Sequence, residues 1–134
     1  VNVSQARVQA RDTRRKADIA SIKNALESYY QKNTKYPVPS TPGACDGKGR
    51  SLDLLKNTLV TDTQYLPAIP TDPINDSTHA YDYVCGADGE SYGLRVIFEN
   101  EKFGQENTNY CKTGINMDST WWMTTIPATP DCPF

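Results

Sequence analysis

From Val1 to Asn33 the chain carries no glycine or proline, and Ile19, Ile22, Leu26 and the Tyr29/Tyr30 pair recur at helical spacing. The pattern predicts one helix over Val1–Asn33, ended by Lys35-Tyr36-Pro37-Val38-Pro39. No capping signal is evident ahead of it. The large apolar residues occupy only its second half. The first half carries Arg7, Arg11, Arg14, Arg15 and Lys16, and its apolar positions (Ala6, Val8, Ala10, Ala17) are mostly small. A helix so divided is expected to pack on the body of the protein with one half and project with the other.

Beyond the helix, residues 40–77 read as loop, broken by Pro42, Gly43, Gly47, Gly49, Pro67, Pro70 and Pro73, with one short helix expected around Ser51–Asn57. Strands are predicted over Thr78–Cys85, where Tyr81, Tyr83 and Cys85 alternate with Ala80, Asp82 and Val84. A second is predicted over Tyr92–Glu99, where Tyr92, Leu94, Val96 and Phe98 share one face. Gly86-Ala87-Asp88-Gly89-Glu90 between them is hairpin-turn chemistry. Weaker strands are expected at Asn109–Lys112 and Thr120–Ile126, the latter placing Trp121 and Trp122 on opposite faces. Leu94, Val96 and Phe98 need an apolar partner, and Ile19, Ile22, Leu26 and Tyr29 form the only helical surface long enough to supply it. The expected core is therefore these seven residues. The fold class is α+β: a long N-terminal α-helix on a small antiparallel sheet, joined by a long αβ-loop. A chain of 134 residues makes this one domain, divided into helix 1–33, loop 34–77, sheet 78–126 and tail 127–134.

Charge sharpens the picture. Residues 1–34 hold seven Lys/Arg against three Asp/Glu, a balance of +4, and residues 35–134 hold seven against thirteen, a balance of −6. A basic stalk on an acidic head suits head-to-tail contacts between identical subunits. The Arg11/Arg14/Arg15/Lys16 cluster is read as a solvated or subunit-facing surface and not a specific nucleic-acid footprint, because Asp12 and Asp18 interleave with it and no aromatic stacks among the charges. His79 is the only histidine, Ser77 and Ser91 lack a nucleophile elbow, and the pairs Asp12/Asp18 and Asp72/Asp76/Asp82 have no accompanying base or metal motif, so no catalytic residue is assigned. Asn2-Val3-Ser4 and Asn75-Asp76-Ser77 fit a glycosylation sequon, a short pattern that also arises by chance. Cys45, Cys85, Cys111 and Cys132 are even in number and lack a C-x-x-C pair, which favours two disulfides and an oxidising compartment over zinc; four cysteines allow three pairings.

Two stretches carry a family resemblance. Ala10–Ile19 is a polar, Arg/Lys-rich turn leading to Leu26-Glu27-Ser28-Tyr29-Tyr30 and then Tyr36-Pro37. Tyr65-Leu66-Pro67-Ala68-Ile69-Pro70-Thr71-Asp72-Pro73 is followed by Tyr81-Asp82-Tyr83. In this order and spacing they resemble type IV pilins, most closely the major pseudopilins of type II secretion and their short pilin relatives. The resemblance covers Ala6–Tyr36 and Tyr65–Asn100. Gly43–Thr63 and Glu101–Phe134 match weakly, and the hydrophobic helix segment that defines the family is missing.

The resemblance implies a pilin-like fold and a structural, non-enzymatic subunit of a type IV pilus-like surface filament. Such a subunit polymerises with identical copies through its N-terminal helix, with Arg7, Arg11, Arg14, Arg15 and Lys16 as assembly surface and Tyr36–Ser77 as the head-to-head loop. Inner-membrane assembly machinery would be its other partner. The location would be extracellular, with a membrane-anchored pool before assembly, and membrane contact only through the missing segment. By resemblance, about 20 apolar residues holding a glutamate, behind a short basic leader, are expected directly before Val1. Major pseudopilins bind calcium in a loop at the sheet's far end, where Asp88, Glu90, Asn116 and Asp118 are the oxygens on offer, so calcium is a minor candidate and no other cofactor is expected. For the cysteines the resemblance favours Cys45–Cys85 with Cys111–Cys132, the second closing the C-terminal segment over the last strand and worth roughly 3 kcal/mol. Arg11 and Arg15 are expected to matter little for stability. The alternatives are a pseudopilin that drives secretion and, from another class, a secreted binding module using Trp121, Trp122 and the loops to hold a ligand.

Overall fold

The structure, a computed structural model, describes residues 2–61, 65–123 and 127–134. Helix α1 spans Val3–Asn33. Its start is set by a reciprocal cap that the sequence reading overlooked: the Asn2 side chain accepts the Gln5 N–H at 2.8 Å, and the Gln5 side chain accepts the Asn2 N–H at 3.3 Å. That is a capping box written with Asn and Gln. The helix ends at Thr34, whose backbone is left-handed with φ 59° and whose N–H donates to the Tyr30 carbonyl at 2.7 Å. The chain then turns inward, burying Tyr36 and Pro37, and the Tyr36 N–H donates to the Gly89 carbonyl at 2.7 Å.

Four antiparallel strands form one sheet in the order β1 (Arg50–Ser51), β2 (Asp82–Cys85), β3 (Tyr92–Ile97) and β4 (Tyr110–Ile115). The α+β class, a long N-terminal helix with a small antiparallel sheet, is therefore the architecture observed. The strands differ from expectation for local reasons. The expected strand from Thr78 begins only at Asp82, because the Asp76 carboxylate accepts the N–H groups of Thr78 and His79 and holds a turn there. Strand β3 stops at Ile97: after the Phe98 N–H, which donates to the Asn109 carbonyl, the donors of Glu99, Asn100 and Glu101 turn to Asp12 of the helix. β4 runs on to Ile115, and the two-residue β1 was not expected. The short helix near Ser51–Asn57 is a 3₁₀ turn over Leu52–Leu55, followed by a π turn over Asn57–Thr61. Their Leu52, Leu55 and Leu59 are buried.

The strand expected at Thr120–Ile126 is not found over residues 120–123, which form turns, and Thr124–Ile126 lie outside the described residues. With it goes the placing of Trp121 and Trp122 on opposite faces. A methyl group at Gly93 would stand 3.2 Å from the Trp121 ring and 3.1 Å from the Trp122 ring, so both indoles fold over the same face of β3. That close approach is why glycine sits there.

The other face of the sheet carries the core. Tyr83, Cys85, Tyr92, Leu94, Val96, Phe98 and Cys111 form one cluster with Ile19, Ile22, Ala25 and Leu26 of α1. Of the seven core residues read from the sequence, six are fully buried. Tyr29 is half-buried and meets Tyr65 edge-on at 5.8 Å. Disulfides join Cys45 to Cys85, pinning the 34–50 segment to β2, and Cys111 to Cys132, pinning the tail to β4. Beside the second, the Lys112 N–H donates to the Pro130 carbonyl at 2.9 Å and the Cys132 N–H to the Lys112 carbonyl at 2.7 Å.

Candidate functional site

The five cations read as one assembly surface separate into three environments. Arg7 and Arg14 are exposed. Arg11 and Lys16 are half-buried and paired: Arg11 grips Glu99 with two bonds of 2.7 and 2.6 Å, and Lys16 meets Glu101 at 2.9 Å. Arg15 is fully buried, its side chain 0% exposed, so it does not belong to an exposed assembly surface.

Arg15 is buried because the fold gives its guanidinium three carboxylates. Its Nε and Nη2 fork onto Asp72 at 2.8 and 3.0 Å, and its Nη1 donates to Asp12 at 2.8 Å and Glu99 at 2.7 Å. A desolvated charge is tolerated only when paired in this way, and the planar guanidinium fork suits it better than an ammonium would. Each carboxylate has its own backbone support. Asp72, inside the Asp-Pro motif of the loop, also accepts the N–H groups of Ile74 at 2.8 Å and Asn75 at 3.3 Å. Asp12, buried on the helix, accepts the N–H groups of Glu99, Asn100 and Glu101 at 2.9, 2.8 and 3.2 Å. This is what ends β3 and carries the chain off the sheet. The helix, the loop and the strand end thus meet in one polar clasp.

The electrostatics follow from the geometry. Hydrogen bonds from Arg11 and Arg15 outweigh partial burial at Glu99 and lower its carboxyl to about 2. At Asp72 burial pushes upward, and the bonds from Arg15, Ile74 and Asn75 prevail, holding it below its usual value. Burial opposes the charge on Arg15, yet bonds to Asp72, Glu99 and Asp12 overcome that, and its pKa is raised. Glu99 and Asp72, both held below their ordinary values, therefore meet Arg15 as charged carboxylates near neutrality. They carry no proton to donate there, and the cluster cements the fold instead of exchanging protons. One turn along, the Tyr81 hydroxyl donates to Asp18 at 2.7 Å.

These pairings change the reading of the +4/−6 charge division. Arg11, Arg15 and Lys16 meet acidic groups of their own head, so part of the complementarity is satisfied within the chain. Among the helix cations in the first half, Arg7 and Arg14 face outward, Arg14 only 3.9 Å from Asp18. They belong to an exposed stripe with Val3, Ala10, Ala17 and Ser21, and no residue from Val3 to Arg11 is buried.

Other candidates fall elsewhere. Asp88 and Asp118 each accept a neighbouring N–H within their own turns, from Glu90 at 3.0 Å and Thr120 at 2.8 Å, and Asn116 links the turns by donating to the Glu90 carbonyl at 3.1 Å. Among the described residues no group of three or more His, Cys, Asp or Glu side chains is placed to hold a metal. His79 is half-buried, its Nδ1 3.4 Å from the exposed Asp76. Trp121 is buried, and Trp122 is half-buried with φ 58°. Asp12, Asp72 and Glu99 were the residues missed as a set. Their only sequence traces were the Asp12–Arg15 spacing and the Asp-Pro motif.

No protein-family model matches the chain, and neither a curated protein nor a solved structure matches it significantly. Among the described residues no helix is long and apolar enough to cross a membrane.

Proposed function

We propose that this chain is the stalk-and-head portion of a pilin-like structural subunit that assembles with identical copies into a filament. One observation carries the reading: α1 overhangs its own body. Arg11 grips Glu99 and buried helix residues begin at Asp12, so Val3–Ala10 extends about 12 Å beyond that anchor at 1.5 Å per residue. Within that span and the next turns, the exposed stripe Val3, Arg7, Ala10, Arg14 and Ala17 has small residues where a second helix would approach. The clasp beneath makes the overhang a rigid lever, since Arg15 and Asp12 fix the helix's rotation and axial position against loop and sheet. The likeness of Ala6–Tyr36 and Tyr65–Asn100 to pilin sequences points the same way. The secretion-pseudopilin alternative uses the same surface and differs only in where the filament stands. The binding-module alternative would rest on the loops and the half-buried Trp122, since Trp121 is buried.

The test is the full gene product expressed in a host with a pilus assembly system, imaged by electron microscopy. Filaments that lose at least nine-tenths of their number on Arg7→Glu/Arg14→Glu, with the melting temperature of the present chain unchanged, are expected. A full-length product released as monomer, or filaments indifferent to both charge reversals, would overturn the reading.

A further inference from the structure

Halfway along α1, on the side away from the overhang's charges, Lys16, Ala20, Lys23 and Asn24 share one helix face over the buried Ile19, and the Phe134 ring closes the opposite wall. The groove between them has a volume of about 250 Å³, below the roughly 300–1,000 Å³ of sites for drug-sized molecules. Its accessible apolar surface is the Ala20 methyl group and Phe134, a residue 37% exposed whose ring rests edge-on against Phe98 and Phe103, each at 6.1 Å; Ile19 lies beneath, fully covered.

The two lysines at its rim are not equivalent. Lys16 is committed to Glu101 at 2.9 Å and stands 5.8 Å from the Phe134 ring, so its stem builds the wall. Lys23 donates only to the Thr113 hydroxyl, at 3.2 Å, and enters no ion pair among the described residues. A half-buried ammonium with a neutral partner, at the end of an apolar trough, lacks a counter-ion.

We propose that this groove binds a free medium-chain alkyl carboxylate, its tail along Ala20, Phe134 and the Lys16 stem and its carboxylate on the Lys23 ammonium with the Asn24 amide beside it. A monoanion matches the single uncommitted cation, and a trough this small admits one narrow tail. An anionic lipid held in a bilayer would have to withdraw its chain from the membrane to lie in the trough. The inference is independent of the filament reading, because the groove lies on the packed half of the helix.

The test uses the isotopically labelled chain titrated with decanoate, octanoate, decan-1-ol and decylammonium below their micellar concentrations, followed by amide NMR shifts. Decanoate is expected to shift the Ala20, Asn24 and Phe134 signals saturably. Each methylene removed should weaken binding about two- to fourfold. Decan-1-ol should bind at least tenfold more weakly, since a hydrogen bond to a charged group is worth about that factor or more. Lys23→Gln should cause at least a tenfold loss, and Ala20→Glu, at an exposed helix position that leaves folding intact, should abolish binding. Decan-1-ol or decylammonium binding as well as decanoate, an unchanged Lys23→Gln variant, shifts confined to other residues, or binding seen only with anionic phospholipid vesicles would each overturn the proposal.

Discussion

Residues 19–26 of α1 bury Ile19, Ile22, Ala25 and Leu26 against Leu94, Val96 and Phe98. One turn earlier, residues 12–15 bury Asp12 and Arg15 against Asp72 and the Glu99–Glu101 backbone. The same helix is thus held to the same sheet by apolar contact at one place and by directed ionic hydrogen bonds at the other. Apolar burial is non-directional and close to proportional to area, so by itself it leaves the helix some freedom to rotate or slide. The clasp removes that freedom. Arg15 can satisfy Asp12, Asp72 and Glu99 together in only one helix rotation, and three successive backbone donors meet Asp12 in only one axial register. The apolar half supplies cohesion and the polar half supplies orientation, which is what an overhanging lever requires.

The comparison breaks most sharply at Arg15. Arg15→Ala should cost about 3–5 kcal/mol, because it strands buried carboxylates whose counter-charge is gone. Chemical denaturation of the variant checks this, with Arg14→Ala, at an exposed site, expected within about 0.5 kcal/mol of the parent. Leu26→Ala, in the apolar half, should cost about 2–5 kcal/mol through lost burial and the cavity left behind. The two losses should differ in kind. Limited proteolysis of Arg15→Ala should cut first within residues 3–18, whereas Leu26→Ala should loosen the whole domain. An Arg15→Ala protein with native stability and an undisturbed helix start would show that the clasp is ornamental.

Acid should separate the halves next. Glu99 and Asp72 have folded-state pKa values below their ordinary ones, Glu99 near 2 against 4.5, so their contribution is complete above the unfolded value and disappears as pH falls through the folded one. Stability should therefore hold from neutrality to about pH 5 and decline between about pH 4.5 and 2. Glu99→Gln should be less stable at pH 7 and show a shallower acid decline, while Leu26→Ala should keep the parent's slope. Thermal melts across that pH range check both.

The apolar half of the molecule was legible in the sequence because periodicity encodes it directly. Ile19, Ile22 and Leu26 repeat as a helix face does, and Leu94, Val96 and Phe98 as a strand face does. The clasp was not legible, because an arginine looks the same in a sequence whether solvated or buried. Its fate here depends on Asp72 and Glu99, 57 and 84 residues away. The strand ends failed for a related reason: they are set by side chains that capture backbone donors, Asp76 before β2 and Asp12 after β3. The Trp121-Trp122 pair was misread by treating a β-prone composition as a strand, where a left-handed residue at Trp122 makes a turn. Asn2 was overlooked as a cap because its partner in the box is Gln5 and not the commoner Glu.

The smallest expected effect lies at the other end of α1, beyond both anchors. Thr34 holds φ 59° and ψ 19°, a conformation that a β-branched residue adopts only under strain. It is kept there because its N–H satisfies the Tyr30 carbonyl and its hydroxyl donates to the Asn33 carbonyl at 2.6 Å, while Tyr36 must turn inward to reach Gly89. Asparagine tolerates the left-handed region without glycine's added freedom in the unfolded chain, so Thr34→Asn should stabilise by about 0.5–1 kcal/mol and Thr34→Gly by somewhat less. The gain should be the same at pH 3 and pH 7, since no charged group of the clasp is near, and it should add to the loss caused by Leu26→Ala. Melting curves of the single and double variants measure it. A destabilised Thr34→Asn would mean that the hydroxyl bond to Asn33 outweighs the backbone strain, and that this end of the helix, like the other, is held by a polar contact.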